Sequence, residues 1–132
     1  ILESDIILIG VSRTSKTHTS IYLANKGLKT SNIPLVNEMS IPKDLMDAEN
    51  MCIIGLVTEA ERLFEIRRNR LNSLKEKEIS DYTNLEKIKI EVEKSKKIFK
   101  KNKWPTIDVT RKSVEETAAS IIKIYEIKNK NA

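Results

Sequence analysis

With 132 residues the chain is one domain of ordinary size (1–132), long enough for a sizeable core. Its longest apolar run, Ile6 to Val11, is far too short to span a bilayer, and no charged-then-apolar signal segment precedes it, so a soluble, cytoplasmic protein without a membrane partner is expected. One cysteine and one histidine exclude a metal cluster built from those side chains, while 24 basic against 19 acidic residues, net +5, oblige nucleic acid to be weighed as a partner.

Ile6 to Ile9 is a short, unalternating apolar block, the pattern of a strand buried on both faces of a parallel sheet, and Gly10 stops it. From Gly10 to Thr17 the spacing is G-x-x-x-x-S-K-T, one residue from the phosphate-binding pattern G-x-x-x-x-G-K-[ST]. In such a strand-to-helix loop the backbone N–H groups of Gly10, Val11, Ser12, Arg13, Thr14 and Ser15 curl around phosphate oxygens. The next helix adds its unpaired N-terminal donors and positive dipole end. Lys16 then supplies a mobile charge for the terminal phosphates, Thr17 a hard oxygen ligand for Mg²⁺, and Arg13 a second cation beside a polyphosphate. The plainer alternative is a polar turn in which Ser12, Thr14 or Ser15 caps a helix and Lys16 is solvated.

A first helix is predicted from near Thr17, with Thr17, Ile21 and Ala24 on one face and Asn25-Lys26-Gly27 ending it in a left-handed cap. Leu28 to Val36 reads as an extended segment that Pro34 places at a sheet edge. Pro42 opens a short helical turn through Leu45 and Met46. Cys52 to Val57 is a second buried strand, with Cys52 as a small buried hydrophobe. Capping boxes at Thr58 with Glu61, Thr83 with Glu86 and Ser113 with Glu116 mark three helix starts.

In the first of those helices the stripe Ala60, Leu63, Phe64, Leu71 and Leu74 is interrupted by Arg67. Its guanidinium must snorkel to the rim or meet an anion, either a ligand phosphate or an internal carboxylate. The second helix, Asn84 to Lys101, turns Leu85, Ile88, Val92 and Phe99 inward and leaves its lysines on a solvated face. Leu74 to Tyr82 reads as a linker by composition. Trp104-Pro105 then punctuates the chain before a short strand, Thr106 to Val109. The last helix buries Val114, Thr117, Ala118, Ile121, Ile124 and Tyr125, and Lys128 to Ala132 is expected to fray.

This alternation is that of an α/β fold: an open, mostly parallel sheet with helices on both faces, like that of phosphate-loop kinases. Ligands in such sheets bind beyond the carboxyl ends of the strands, a rule that gathers Gly10 to Thr17, Val36 to Glu38, Thr58 with Glu59, and Asp108 to Arg111 at one rim. The Cys52 to Val57 strand ends without a carboxylate. Asp108 is therefore the candidate to hold Mg²⁺ or accept a proton, against the alternative that Asp108 or Thr110 caps the loop before the final helix. The catalytic candidates are Lys16, Asp108 and Arg67.

Four blocks in order, Gly10 to Thr17 (GVSRTSKT), Ser20 to Asn25 (SIYLAN), Asn32 to Val36 (NIPLV) and Ile107 to Ala118 (IDVTRKSVEETA), resemble the regulatory proteins of pyruvate, phosphate dikinase and of the related phosphoenolpyruvate synthase. That family has serine where Ser15 stands, and usually proline where His18 stands, so His18 reads as a local variation. The resemblance implies a bifunctional enzyme that phosphorylates a threonine of the dikinase, or of the synthase, with ADP as donor. It also implies removal of that phosphate with inorganic phosphate, releasing pyrophosphate. ADP and Mg²⁺ are then the ligands. A further region of similar length is expected ahead of the phosphate loop, in keeping with a chain that opens at Ile1 without an initiator methionine, and the reading leaves room for a homodimer. Ser15, in place of glycine, narrows the cradle and is expected to favour a diphosphate.

Two other readings follow from the residues alone. One is a small-molecule kinase of the shikimate or nucleoside type. The other is a non-catalytic basic module using Lys94, Lys96, Lys97, Lys100, Lys101 and Lys103. With aromatic residues at 5% and no glycine-aromatic signature among those lysines, nucleic acid is not the expected partner.

Overall fold

A computed structural model describes residues 4–11, 14, 16–35, 41, 52–71 and 84–130. Four strands, β1 (Ile6–Gly10), β2 (Thr30–Pro34), β3 (Cys52–Val57) and β4 (Thr106–Asp108), form one parallel sheet in the order β2-β1-β3-β4. The helices are α1 (Lys16–Asn25), α2 (Ala60–Leu71), α3 (Leu85–Lys101) and α4 (Val114–Lys130). This is an α/β fold. The chain leaves β1 for a neighbour on one side and returns to a neighbour on the other, so the loop after Gly10 opens at the switch point of the sheet.

The unalternating strands explain the layering, because successive side chains of β1 and β3 enter opposite layers and both layers are apolar. Ile7, Ile9, Ile53 and Val57 pack with Leu63 of α2 and with Ile88, Val92 and Phe99 of α3. Ile6, Leu8, Cys52, Ile54 and Leu56 pack with Leu23 of α1 and with Ala118 and Ile121 of α4. The Phe99 ring lies directly on Gly55, in the space a side chain there would fill. Cys52 is buried as expected, and desolvation pushes its thiol pKa up, which keeps it an inert core group.

Four local expectations shift. On α1 the buried residues are Thr19 and Leu23, whereas Ile21 is 57% exposed and Thr17 and Ala24 face solvent. So few apolar residues occur in this helix that its phase is set from outside. The Leu28 N–H bonds the Leu23 carbonyl (3.0 Å) and the Gly27 N–H that of Ala24 (2.9 Å), which anchors the helix end with Leu23 inward.

At α2 the Thr58 hydroxyl pairs with that of Thr110 (3.2 Å), and the helix begins at Ala60 instead of Glu59. At α3 the capping oxygen is Asn84 Oδ1, which accepts from the N–H groups of Glu86 and Lys87; Thr83 lies outside the described residues. The box at α4 forms in full, with Ser113 Oγ accepting from Glu116 N (3.1 Å) and Glu116 Oε1 from Ser113 N (3.2 Å). That helix continues to Lys130, into the stretch expected to fray. The turn expected from Pro42 through Met46 and the linker from Leu74 to Tyr82 lie outside the described residues. No helix among the described residues is long and apolar enough to cross a membrane.

Candidate phosphate-binding site

The loop after β1 is wound on two main-chain carbonyls. Gly10 O accepts from Leu35 N (2.9 Å), which ties the loop to the end of β2. Val11 O accepts both from Thr14 Oγ1 (2.9 Å) and from Lys16 Nζ (2.8 Å), so one carbonyl draws the loop shut and holds the lysine over it. Thr14 is fully buried, and its hydroxyl also accepts from Lys16 Nζ at 3.3 Å. Gly10 has no alternative here: a Cβ would lie 2.8 Å from Thr14 Oγ1 and 2.9 Å from Leu56 O. Gly10, Val11, Thr14, Lys16 and Thr17 thus share one rim, while Ser12, Arg13, Ser15 and the segment Val36 to Glu38 lie outside the described residues.

Helix α1 begins at Lys16, and its first turn holds no acidic residue, leaving the positive end of the dipole uncompensated. The first turns of α2, α3 and α4 each carry glutamate. Burial lowers the Lys16 pKa to about 8 from its ordinary 10.5, and the Arg67 guanidinium pushes it the same way. Among the described residues the partners of Lys16 are therefore a carbonyl, a hydroxyl and a second cation nearby. Thr17 and His18 are exposed on the same turn.

Arg67 is 3% exposed, and the anion it meets is Glu91 of α3, gripped in two parallel bonds: Nη1 to Oε2 at 2.9 Å and Nη2 to Oε1 at 3.0 Å. Of the two anions weighed for it, the internal carboxylate is the one in place. A catalytic role for Arg67 is not carried forward. Sequence reasoning missed Glu91, although it sits between Ile88 and Val92 on the facing helix, where a buried arginine needs its acid.

Asp108 ends β4, two strand spacings or roughly 10 Å from β1 across the sheet. Its Oδ1 accepts from the Thr110 N–H (2.9 Å) and from the Thr110 hydroxyl. Thr110 Oγ1 in turn accepts from Glu59 N at 2.8 Å. Asp108 thus makes the loop-capping turn that was its alternative reading, and Thr110 joins the carboxyl ends of β3 and β4 into one rim. No group of three acidic, histidine or cysteine side chains among the described residues could hold a metal ion.

The model of the kinase/pyrophosphorylase family matches residues 1–122. A Pelagibacter ubique protein provisionally named pyruvate, phosphate dikinase regulatory protein is 67% identical over 130 residues, 98% of this chain and 47% of its own length. Proteins with the same provisional name from Sphingopyxis alaskensis and Caulobacter vibrioides are 51% and 48% identical, over 94% and 92% of this chain and 46% and 39% of their own. The chain spans less than half the length of these relatives. A match along residues 1–122 establishes that the chain belongs to the kinase/pyrophosphorylase family.

Proposed function

We propose that this chain is the nucleotide-binding, phosphoryl-transferring part of a bifunctional regulator of pyruvate, phosphate dikinase. In one direction a threonine hydroxyl of the dikinase attacks the β-phosphorus of ADP. The bond to the bridging oxygen breaks, AMP leaves, and the hydroxyl proton passes to a base. In the other direction an oxygen of inorganic phosphate attacks the phosphothreonine phosphorus, and threonine and pyrophosphate are released.

The observation that carries the reading is the state of Lys16. A half-buried ammonium with a lowered pKa, set beside an arginine and hydrogen-bonded to a carbonyl and a hydroxyl, has no carboxylate partner among the described residues, and a nucleotide's terminal phosphate would supply the anion. The uncompensated first turn of α1 adds to the attraction. The exposed Thr17 hydroxyl would hold Mg²⁺, its other ligands being phosphate oxygens and water, and the ion would offset phosphate charge. Arg67 acts through Lys16 as a positioned second charge.

The test is to incubate the protein with the dikinase and, separately, with phosphoenolpyruvate synthase, using ADP radiolabelled at the β-phosphate. Label on a dikinase threonine is the expected result. Label that arrives only from the γ-phosphate of ATP, or only on small acceptors, contradicts it. Donor choice is assigned to the loop: Ser15→Gly is expected to shift preference from ADP toward ATP, and an unchanged preference removes Ser15 from the account.

A further inference from the structure

Away from the phosphate loop, a cleft of about 590 Å³ lies between α3 and β4, floored by Val57 and walled by Trp104, Pro105 and Thr106. Lys96 and Lys100 of α3, with Lys103 just beyond the helix end, line the facing wall. Lys103 adopts a left-handed backbone (φ 58°) at the end of α3, a position that favours glycine. The turn is closed there by Trp104 N to Phe99 O (3.0 Å) and Lys103 N to Lys100 O (3.1 Å), so a third cation is carried into the cleft at some conformational cost.

The other wall is, among the described residues, an open sheet edge. β4 is last in the strand order, and Pro105 and Val109 bond toward β3 through Gly55 N to Pro105 O and Val109 N to Val57 O, both 2.8 Å. By the alternation of a strand, the main-chain groups of Thr106 and Asp108 then turn to the open side. The acidic groups in reach of the cleft are weak competitors. Glu93 pairs with Lys96 at 3.7 Å with both side chains exposed, and Asp108 is engaged by Thr110.

We propose that this cleft binds an extended acidic segment of a partner protein, laid along β4 with acidic side chains at alternate positions. The spacing fits for the helical pair: Lys96 to Lys100 advances about 6 Å along the helix, and Lys103 follows just beyond the helix end. Alternate residues of a strand recur at roughly 6.6 Å. The added strand would satisfy the outward groups of β4 while its carboxylates meet the lysines, and Trp104 would cover its apolar side. The cleft stands on its own geometry and does not require the phosphate loop to bind nucleotide.

Trp104 is the only tryptophan of the chain, so its fluorescence reads this cleft alone. A synthetic peptide with valine and glutamate alternating is expected to change Trp104 emission saturably. Lys96→Gln with Lys100→Gln is expected to weaken it by about fivefold or more, the scale of losing two charge pairs, without moving the melting temperature, since both lysines are exposed. The proposal is overturned if emission does not change, if a peptide of the same composition with its glutamates contiguous binds equally well, or if a single-stranded RNA oligonucleotide binds this face more tightly than the peptide.

Discussion

The proposed chemistry turns on one side chain, Lys16. Its folded pKa, about 8, lies below the ordinary 10.5. Below pH 8 the ammonium is charged in folded and unfolded chains alike, and the fold bears the whole desolvation cost. Between pH 8 and 10.5 only the unfolded chain keeps the proton, so the contribution of Lys16 shifts in favour of the fold as pH rises through that window and is lost again as pH falls. Nucleotide binding has the opposite sense, because phosphate favours the ammonium. ADP affinity should hold below pH 8 and decline above it, and calorimetric titrations across that pH should find the decline absent in Lys16→Met. The same variant should melt no lower than the parent, since Val11 O keeps its bond from Thr14. Gly10→Ala is a different case. Its Cβ would press on Thr14 Oγ1 and on the Leu56 carbonyl, and chemical denaturation should register a loss of about 1–3 kcal/mol, typical of overpacking.

Among the elements, α2 and α3 are joined at the rim by the Arg67–Glu91 pair. Glu91 keeps 31% of its side chain exposed, so Arg67→Ala should cost about 2 kcal/mol, short of the 3–5 kcal/mol expected when a fully buried pair loses one partner. Arg67→Met with Glu91→Leu should recover most of that in urea denaturation. Arg67→Ala should also raise the Lys16 pKa, which NMR of the lysine side chain would read, because the guanidinium is one of its two causes of depression. At the far end of α3, Lys103→Gly should stabilise the fold by roughly 1 kcal/mol in a thermal melt by relieving the left-handed backbone.

These elements also show what could be read from sequence. The strands, the α2 stripe through Arg67 and the Ser113–Glu116 box were legible because period and local chemistry agree there. The face of α1 was not, because Leu23 is fixed by the turn that follows. The partner of Arg67 was not, because it lies on another helix 24 residues away. Thr110 as the group at Glu59 N–H was hidden for the same reason, being 51 residues distant in the chain.

Across the whole molecule, the parallel sheet separates two candidate sites. Its carboxyl rim gathers the loop after β1, the Arg67–Glu91 pair and the Thr58–Thr110 contact, while its β4 edge carries the basic cleft. Both apolar layers run beneath the rim, through Ile7 and Ile9 on one side and Ile6 and Leu8 on the other, which gives the loop a rigid footing. The central claim is that this loop binds a nucleoside diphosphate through Lys16. The most direct measurement is isothermal titration of the protein with ADP and Mg²⁺, run beside Lys16→Ala with its fold checked by circular dichroism. Saturable binding by the parent, weakened by at least about tenfold in the variant, or ~1.4 kcal/mol, is the expected result. Equal affinity in two equally folded proteins would contradict the account.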